Sequence, residues 1–379
     1  MTYMLLAGEA SGDLHASELI GALRRRDPGA RFVFFGGDLM AAAAGSKPAM
    51  HYREMAYMGF AEVIRHLPQV GRNLALARRL LERVRPDALI LVDYPSFNLR
   101  VGAEARKMGI PVYYYISPKV WAWKEFRTGQ IAEICRRVLA IFPFEPAFYA
   151  AHGYDRCTYV GNPSVEEIDA RLARLTPEAL EDFRREVSPS GKPVIAIVPG
   201  SRVSEIERNL PIMLEAARVL RDKYQPVIAG APAIDPVLYP AGYPVVFDRT
   251  TELMKAATAA LVTSGTASLE AALAGVPQVV CYRHSGSRAF YAVMSKVLKI
   301  PFVSLPNLIA GRQVVPEMLL HNCTPLRLLQ ELVKILPGHS GRAPQLRGYA
   351  DIRRLLGDTR AADSAAELIT SDLKNDPRN

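Results

Sequence analysis

The chain has 379 residues, 49% hydrophobic and 22% charged, with a formal net charge of +9. That length suits two domains of ordinary size, and the composition excludes a disordered or collagen-like chain. No apolar run approaches the ~18 residues of a membrane-spanning helix, and the start, MTYMLLAGEASGD, lacks the basic stretch and cleavage site of a signal peptide. The four cysteines lack a C-x-x-C pair and the seven histidines lack ligand spacing. We therefore expect no disulfide framework, no metal, no resident cofactor, and a cytoplasmic protein. The basic balance fits an anionic membrane surface or small phosphorylated substrates. Nucleic acid is not expected as a partner, because no RNP signature, zinc-finger spacing or extended basic helix is present.

In chain order, Met4–Ala7 predicts a strand, Gly8-Glu-Ala-Ser-Gly12 a loop, and Asp13–Arg26 a helix. Phe32–Phe35 is a second strand. Phe60, Val63, Ile64 and Leu67, then Val70, Leu74, Ala77, Leu81 and Val84, form an apolar stripe at helical spacing, interspersed with arginines. It reads either as an amphipathic helix on its own sheet or as an interfacial segment holding acyl chains. Ala88–Val92 is a fully apolar run, as in a strand buried on both faces. Val112–Ile116 and Val138–Phe142 follow as strands. After Val160-Gly-Asn-Pro163 a polar helical stretch runs to Val187, and the pattern restarts: strand Val194–Val198, loop Pro199-Gly-Ser-Arg202, helix Glu205–Asp222. Val227–Ala229, Val245–Phe247, Ala260–Thr263 and Gln278–Tyr282 continue it. Strand–helix alternation of this kind predicts an α/β protein of two opposed Rossmann-like domains, 1–164 and 165–345, with a helical tail, 346–379, packing back on the first.

Ligands of parallel sheets sit beyond the carboxyl ends of the strands, which nominates particular loops. Gly8 to Asp13 offers close backbone approach and a helix start, with Ser11 and Gly12 in it; it is neither a dinucleotide fingerprint nor a Walker A loop. Asp93 ends a strand, where partial burial would make its carboxylate a better base; Asn98 follows. Glu9 and Asp13 are rival bases, and Asp93 and Asp13 also read as helix caps. Ser201 and Arg202 place a hydroxyl and a permanently charged fork near phosphate oxygens. Ser264, Gly265 and Thr266 supply hydroxyls at a helix start, with Glu270 one turn in. Phe302 to Arg312 reads as a loop, with Asn307 donating to a phosphate, Gly311 beside it, and Glu317 accepting from ribose hydroxyls. Ser117 and Trp121 read as either aromatic packing or part of a binding wall.

Several motifs occur in one order: Gly8-Glu-Ala-Ser-Gly-Asp13, Met58-Gly-x-x-Glu-Val63 with Leu67-Pro68, Asp93-x-Pro-x-Phe-Asn98, Ser117-Pro-x-x-Trp-Ala-Trp123, Phe142-Pro-Phe-Glu145, Pro199-Gly-Ser-Arg202, Ser264-Gly-Thr-Ala-Ser-Leu-Glu270, and Leu305-Pro-Asn-Leu-Ile-Ala-Gly311 with Val315-Pro-Glu317. Together they resemble the lipid-A-disaccharide synthases of Gram-negative bacteria. The one departure that touches a side-chain role is Asn162, where the family pattern has histidine. The resemblance implies a metal-independent inverting glycosyltransferase of GT-B architecture. Its donor would be UDP-2,3-diacylglucosamine and its acceptor 2,3-diacylglucosamine 1-phosphate; the products would be the β-1,6 disaccharide phosphate and UDP. It also implies a homodimer at the cytoplasmic face of the inner membrane, which favours the acyl-holding reading of Phe60, Ile64, Leu67 and Leu74. Two alternatives stay open: another UDP-sugar enzyme of the same architecture (a 2-epimerase or a peptidoglycan-stage glycosyltransferase), and a non-catalytic nucleotide- or lipid-binding protein.

Overall fold

The computed structural model describes residues 1–55, 67–123, 126–283 and 302–375. The chain divides into two units, Met1–Pro163 with Asp358–Asn379, and Ser164–Gly357. In the first unit, β1 (Thr2–Ala7), β2 (Arg31–Gly36), β3 (Met50–His51), β4 (Ala88–Val92), β5 (Val112–Tyr115), β6 (Arg137–Ala140) and β7 (Cys157–Tyr159) form one parallel sheet. Its order is β3-β2-β1-β4-β5-β6-β7. The order reverses between β1 and β4, whose register pairs Leu5 with Ile90 and Ala7 with Val92.

Both strands are buried on both faces, and the period of two splits their side chains between two cores. Met4, Leu6, Leu89 and Leu91 enter one core with Ala77, Leu80 and Leu81 of the Leu67–Val84 helix. Tyr3, Leu5, Ile90 and Val92 enter the other with Leu19, Ile20 and Leu23 of the Ala10–Arg26 helix. Leu74 also packs, partly buried, against the first core. That corrects its assignment as an acyl-holding residue: the stripe C-terminal to Leu67 faces its own sheet. Phe60 and Ile64, and the side chain of Leu67, lie outside the described residues.

The second unit repeats the plan with β8 (Val194–Val198), β9 (Gln225–Gly230), β10 (Val245–Phe247), β11 (Ala259–Thr263), β12 (Gln278–Tyr282) and β13 (Glu317–Leu319). The order is β10-β9-β8-β11-β12-β13, again parallel, with its reversal between β8 and β11. Ile195, Ile197 and Leu261 face one core, and Ala196, Val198 and Val262 the other.

Two expectations are corrected. The segment after Phe302 is not simply a loop, because Leu305–Ala310 is helical, with Pro306 in its first turn and Gly311 closing it in the left-handed region. The expected boundary at 345/346 falls inside the Arg342–Leu356 helix, which stays with the second unit. Gln345 there trades hydrogen bonds with the Gln278 backbone at 2.6 and 3.0 Å. Only the last helix, Ala361–Lys374, joins the first unit. Ala365, Ile369 and Leu373 enter its second core, and Arg137 pairs with Asp372 at 2.7 Å.

Candidate active site

In an open parallel sheet the loops on either side of the strand-order reversal leave a crevice for ligands. In the first unit those loops follow β1 and β4. Asp93 and Tyr94, directly after β4, both have left-handed backbone, with φ of 46° and 47°. For a tyrosine this costs of order 1–2 kcal/mol and persists only where the surroundings impose it. Three contacts impose it. The amide of Asn98, buried in the Pro95–Lys107 helix, donates to the carbonyls of Leu6, Val92 and Asp93 at 3.3, 3.1 and 2.7 Å, joining the ends of β1 and β4. Tyr114 donates to the Asp93 carbonyl at 2.8 Å. The Tyr94 hydroxyl donates to the Met55 carbonyl at 2.8 Å, and its ring lies over Gly8, where a Cβ would stand 2.4 Å from Tyr94 Cγ. Only glycine fits there.

Asp93 is thus held half-buried. Desolvation lifts its carboxyl above the ordinary aspartate range, against a backbone hydrogen bond at Tyr94 and the opposing charges of Lys119 and His15. It lines a cavity of about 320 Å³ with Ser96, Ser117, Lys119, Arg127 and Phe142 among its walls. Behind that wall lies Glu145, 1% exposed. It accepts from Ser117 Oγ (3.4 Å), Trp121 Nε1 (3.3 Å), and the backbone N–H of Ile141 (3.1 Å) and Phe142 (2.9 Å). Burial outweighs these donors and raises its carboxyl to about 7. Trp121 packs edge-on against Phe142 and Phe144, the packing reading of it, and holds Glu145 behind the cavity wall.

The rival acids have other places. The Asp13 carboxylate accepts from the backbone N–H of Gly37, Leu39 and Met40 at 2.6, 3.1 and 3.1 Å, capping the Asp38–Ala44 helix. This corrects its candidacy as a base: its oxygens are committed to the loop after β2. Glu9 is the exposed N-cap of the Ala10–Arg26 helix. Ser11 lies exposed in that helix's first turn, and Gly12 packs on Ala7.

In the second unit the reversal is flanked by Pro199–Arg202 and Ser264–Thr266. Gly200 has φ of 121°, and a Cβ on it would stand 2.5 Å from Glu205 Oε2. Glu205 accepts from the backbone of Ser201 (3.1 Å) and Arg202 (3.4 Å), fixing the start of the Val203–Arg218 helix. The Arg202 side chain is 80% exposed, its partner Glu205 at 3.4 Å. Asn209 ties the loop down, donating to the Pro199 carbonyl at 3.2 Å and to Thr263 Oγ1 at 3.0 Å. Thr266, exposed, begins the Thr266–Ala274 helix behind Gly265.

Of the expected phosphate or ribose residues, Ser264 and Glu270 have protein partners that leave oxygens able to accept, whereas Asn307 is corrected. Ser264 Oγ donates to the Val303 carbonyl at 3.1 Å, so its proton is used. Glu270 is buried and accepts from Thr251. Asn307, fully buried, spends both amide protons on the Val315 carbonyl (2.9 Å) and Glu317 Oε1 (2.8 Å) and has none for a phosphate. Glu317 keeps capacity. Its Oε1 takes bonds from Ser304 N, Ser304 Oγ and Asn307, while Oε2 accepts from Val303 N at 3.0 Å.

A model of the family described as lipid-A-disaccharide synthetase matches residues 3–368. The chain belongs to this family. The lipid-A-disaccharide synthase of Myxococcus xanthus is 41% identical over 97% of this chain and 96% of its own length. That of Neisseria meningitidis serogroup A is 38% identical over 96% and 95%. Among solved structures, UDP-GlcNAc 2-epimerase from Neisseria meningitidis bound to UDP-GlcNAc aligns with a TM-score of 0.62 at 14% identity, over 99% of this chain and 100% of that one. The glycotransferase of kitacinnamycin aligns at 0.62 and 17%, over 98% of each. At these identities the likeness is one of fold, the two-sheet architecture of GT-B enzymes. As a member of this family the chain is a glycosyltransferase, and that sets aside the epimerase and the non-catalytic readings. Sequence reasoning passed over Lys119, which lies inside the Ser117–Trp123 motif, and Arg127, four residues beyond it; both share the first-unit cavity with Asp93. It had Glu145 only as part of a motif; an acid inside the aromatic run Phe142-Pro-Phe was the available clue.

Proposed function

We propose that the chain transfers diacylglucosamine from its UDP derivative to the 6-hydroxyl of 2,3-diacylglucosamine 1-phosphate in a single inverting displacement. The observation that carries the reading is Asp93: a half-buried carboxylate, held in left-handed backbone at the reversal of the first sheet, in a chain of this family. It takes the proton of the acceptor hydroxyl as that oxygen attacks the anomeric carbon. The bond to UDP breaks as the new one forms, and its electrons leave with the pyrophosphate. Burial makes Asp93 the stronger base, and Lys119 and His15 limit how far it is raised. A base supplies roughly 10²–10⁴-fold, so charge stabilisation of the departing UDP must supply much of the rest. Arg202 and the N–H groups opening the Thr266–Ala274 helix serve that end, and Glu317 Oε2 accepts from the ribose. Asn307 acts through Glu317 by holding its carboxylate.

We infer further that the protein works as a homodimer on the anionic cytoplasmic face of the inner membrane. The family resemblance supports the dimer. The net charge of +9 and the exposed Arg72, Arg79 and Arg83 of the Leu67–Val84 helix support the surface. Among the described residues no helix is long and apolar enough to cross a membrane. Incubation with both acylated sugars, read by mass analysis, should yield the disaccharide monophosphate and UDP. Turnover of unacylated UDP-N-acetylglucosamine alone, with no disaccharide from the acylated pair, would overturn this reading.

A further inference from the structure

The first-unit cavity holds a feature that proton transfer does not require. Among the described residues its walls carry two cations, Lys119 and Arg127, and one acid, Asp93. Among the described residues neither cation has a hydrogen bond or ion pair to a carboxylate; Lys119 feels Asp93 only as a charge across the cavity. Arg127 is also misplaced by the usual rules. It is the first residue of the Arg127–Ile134 helix, where the free N–H groups already make the environment positive and a cation is disfavoured. A half-buried arginine there calls for an anion, and among the described residues no carboxylate pairs with it.

The surroundings are built rather than loose. Ile116, another cavity residue, has left-handed backbone with φ of 56°, so two of the six non-glycine positive-φ residues among the described residues line this one cavity. Glu145 clamps the loops on both sides at once, through Ser117 and Trp121 on one and the N–H groups of Ile141 and Phe142 on the other. Lys119 lies between Ser117 and Trp121 and is therefore carried on a fixed frame.

We propose that Arg127 and Lys119 bind an anionic phosphomonoester on the acceptor sugar, and so select an acceptor carrying a phosphate over its neutral counterpart. Arg127 supplies the planar fork and a nearby helix start, and Lys119 a second point charge. The assignment rests on the glycosyl-transfer reading above and specifies its acceptor. With the phosphate at these cations, the sugar's far hydroxyl is directed to the Asp93 side of the same cavity.

The test compares two acceptors, 2,3-diacylglucosamine 1-phosphate and the methyl glycoside of 2,3-diacylglucosamine, with wild type, Arg127→Gln, Lys119→Gln and the double variant. Each acceptor is read as a KM, or as a competitive inhibition constant if it is not turned over. The double variant should weaken the phosphorylated acceptor tenfold or more, Arg127→Gln giving the larger share. The methyl glycoside should be unchanged, and UDP affinity by calorimetry should be unchanged. A folding defect would weaken both acceptors together, so equal weakening overturns the assignment, as does an unchanged constant for the phosphorylated acceptor. In either case disaccharide formation by the wild type leaves the transfer reading standing. No disaccharide from the wild type with either acceptor overturns that reading and this assignment with it.

Discussion

Asn98 and Asn209 occupy matching places: each is buried in a helix beside the strand-order reversal of its sheet, and each spends its amide protons joining loop to strand across that point. Above these matched braces the two units diverge. In the first, the acid is pinned by Tyr114, the Gly8–Tyr94 contact and Asn98, and desolvation changes its chemistry. In the second, Arg202 stands 80% exposed with only a surface partner at 3.4 Å. Such a pair is worth at most about 1 kcal/mol and is readily exchanged for a ligand's phosphates. A base gains from being desolvated and immobile, because its strength depends on its surroundings. A guanidinium is charged wherever it stands and gains from being open to its anion. In the proposed mechanism one sheet plan meets both demands by tying its loops differently in the two units.

The comparison breaks most sharply at Asp93. Asp93→Asn should lower kcat by about 10²–10⁴ while UDP affinity, which we propose belongs to the other unit, stays within error by calorimetry; near-normal turnover would remove Asp93 from its role. Next comes Glu145. Its folded carboxyl lies at about 7 against 4.5 ordinarily, so the folded chain binds that proton more tightly between those values. The stability it contributes is complete below 4.5 and is lost as pH rises through 7, at about 1.4 kcal/mol per unit. Glu145→Gln should flatten that slope in denaturant titrations at several pH values; an unaltered slope would contradict the assigned burial. Arg202→Ala should weaken UDP by roughly 10–100-fold, the worth of a charged hydrogen bond, with little change in melting temperature because its ion pair is exposed. Smallest is the surface effect. Arg79→Gln should weaken binding to anionic vesicles by about 1 kcal/mol, and Arg218→Gln on the second unit should not; equal losses would show that membrane attraction is spread over the whole chain.

Much of the scaffold was legible because its central strands are plain apolar runs: Ala88–Val92, Val194–Val198 and Gln278–Tyr282 stand where the sequence places them. Three of the four edge strands, Met50–His51, Cys157–Tyr159 and Glu317–Leu319, were not, since two or three mixed residues are too short to show a period; Val245–Phe247, equally short, showed because all three of its residues are apolar. At the sites, position along the chain was readable and bonding was not. Asp93 follows its strand as expected. Asp13 and Asn307 look the same in sequence whether they face a ligand or a neighbouring loop, and only the fold shows that backbone N–H groups and Glu317 take them. Arg127 escaped notice because its meaning lies in the cavity it shares with Asp93, 34 residues away in the chain.

The central claim is that the Asp93 carboxylate, lifted by its burial, is the group whose ionisation switches transfer on. The pH dependence of kcat/KM for wild type and Asp93→Asn, measured with the same acylated pair, tests it directly. We predict a wild-type acid limb with an apparent pKa above the ordinary aspartate value of 3.8, and a residual rate in Asp93→Asn that lacks this limb. The same limb in both proteins would contradict the account.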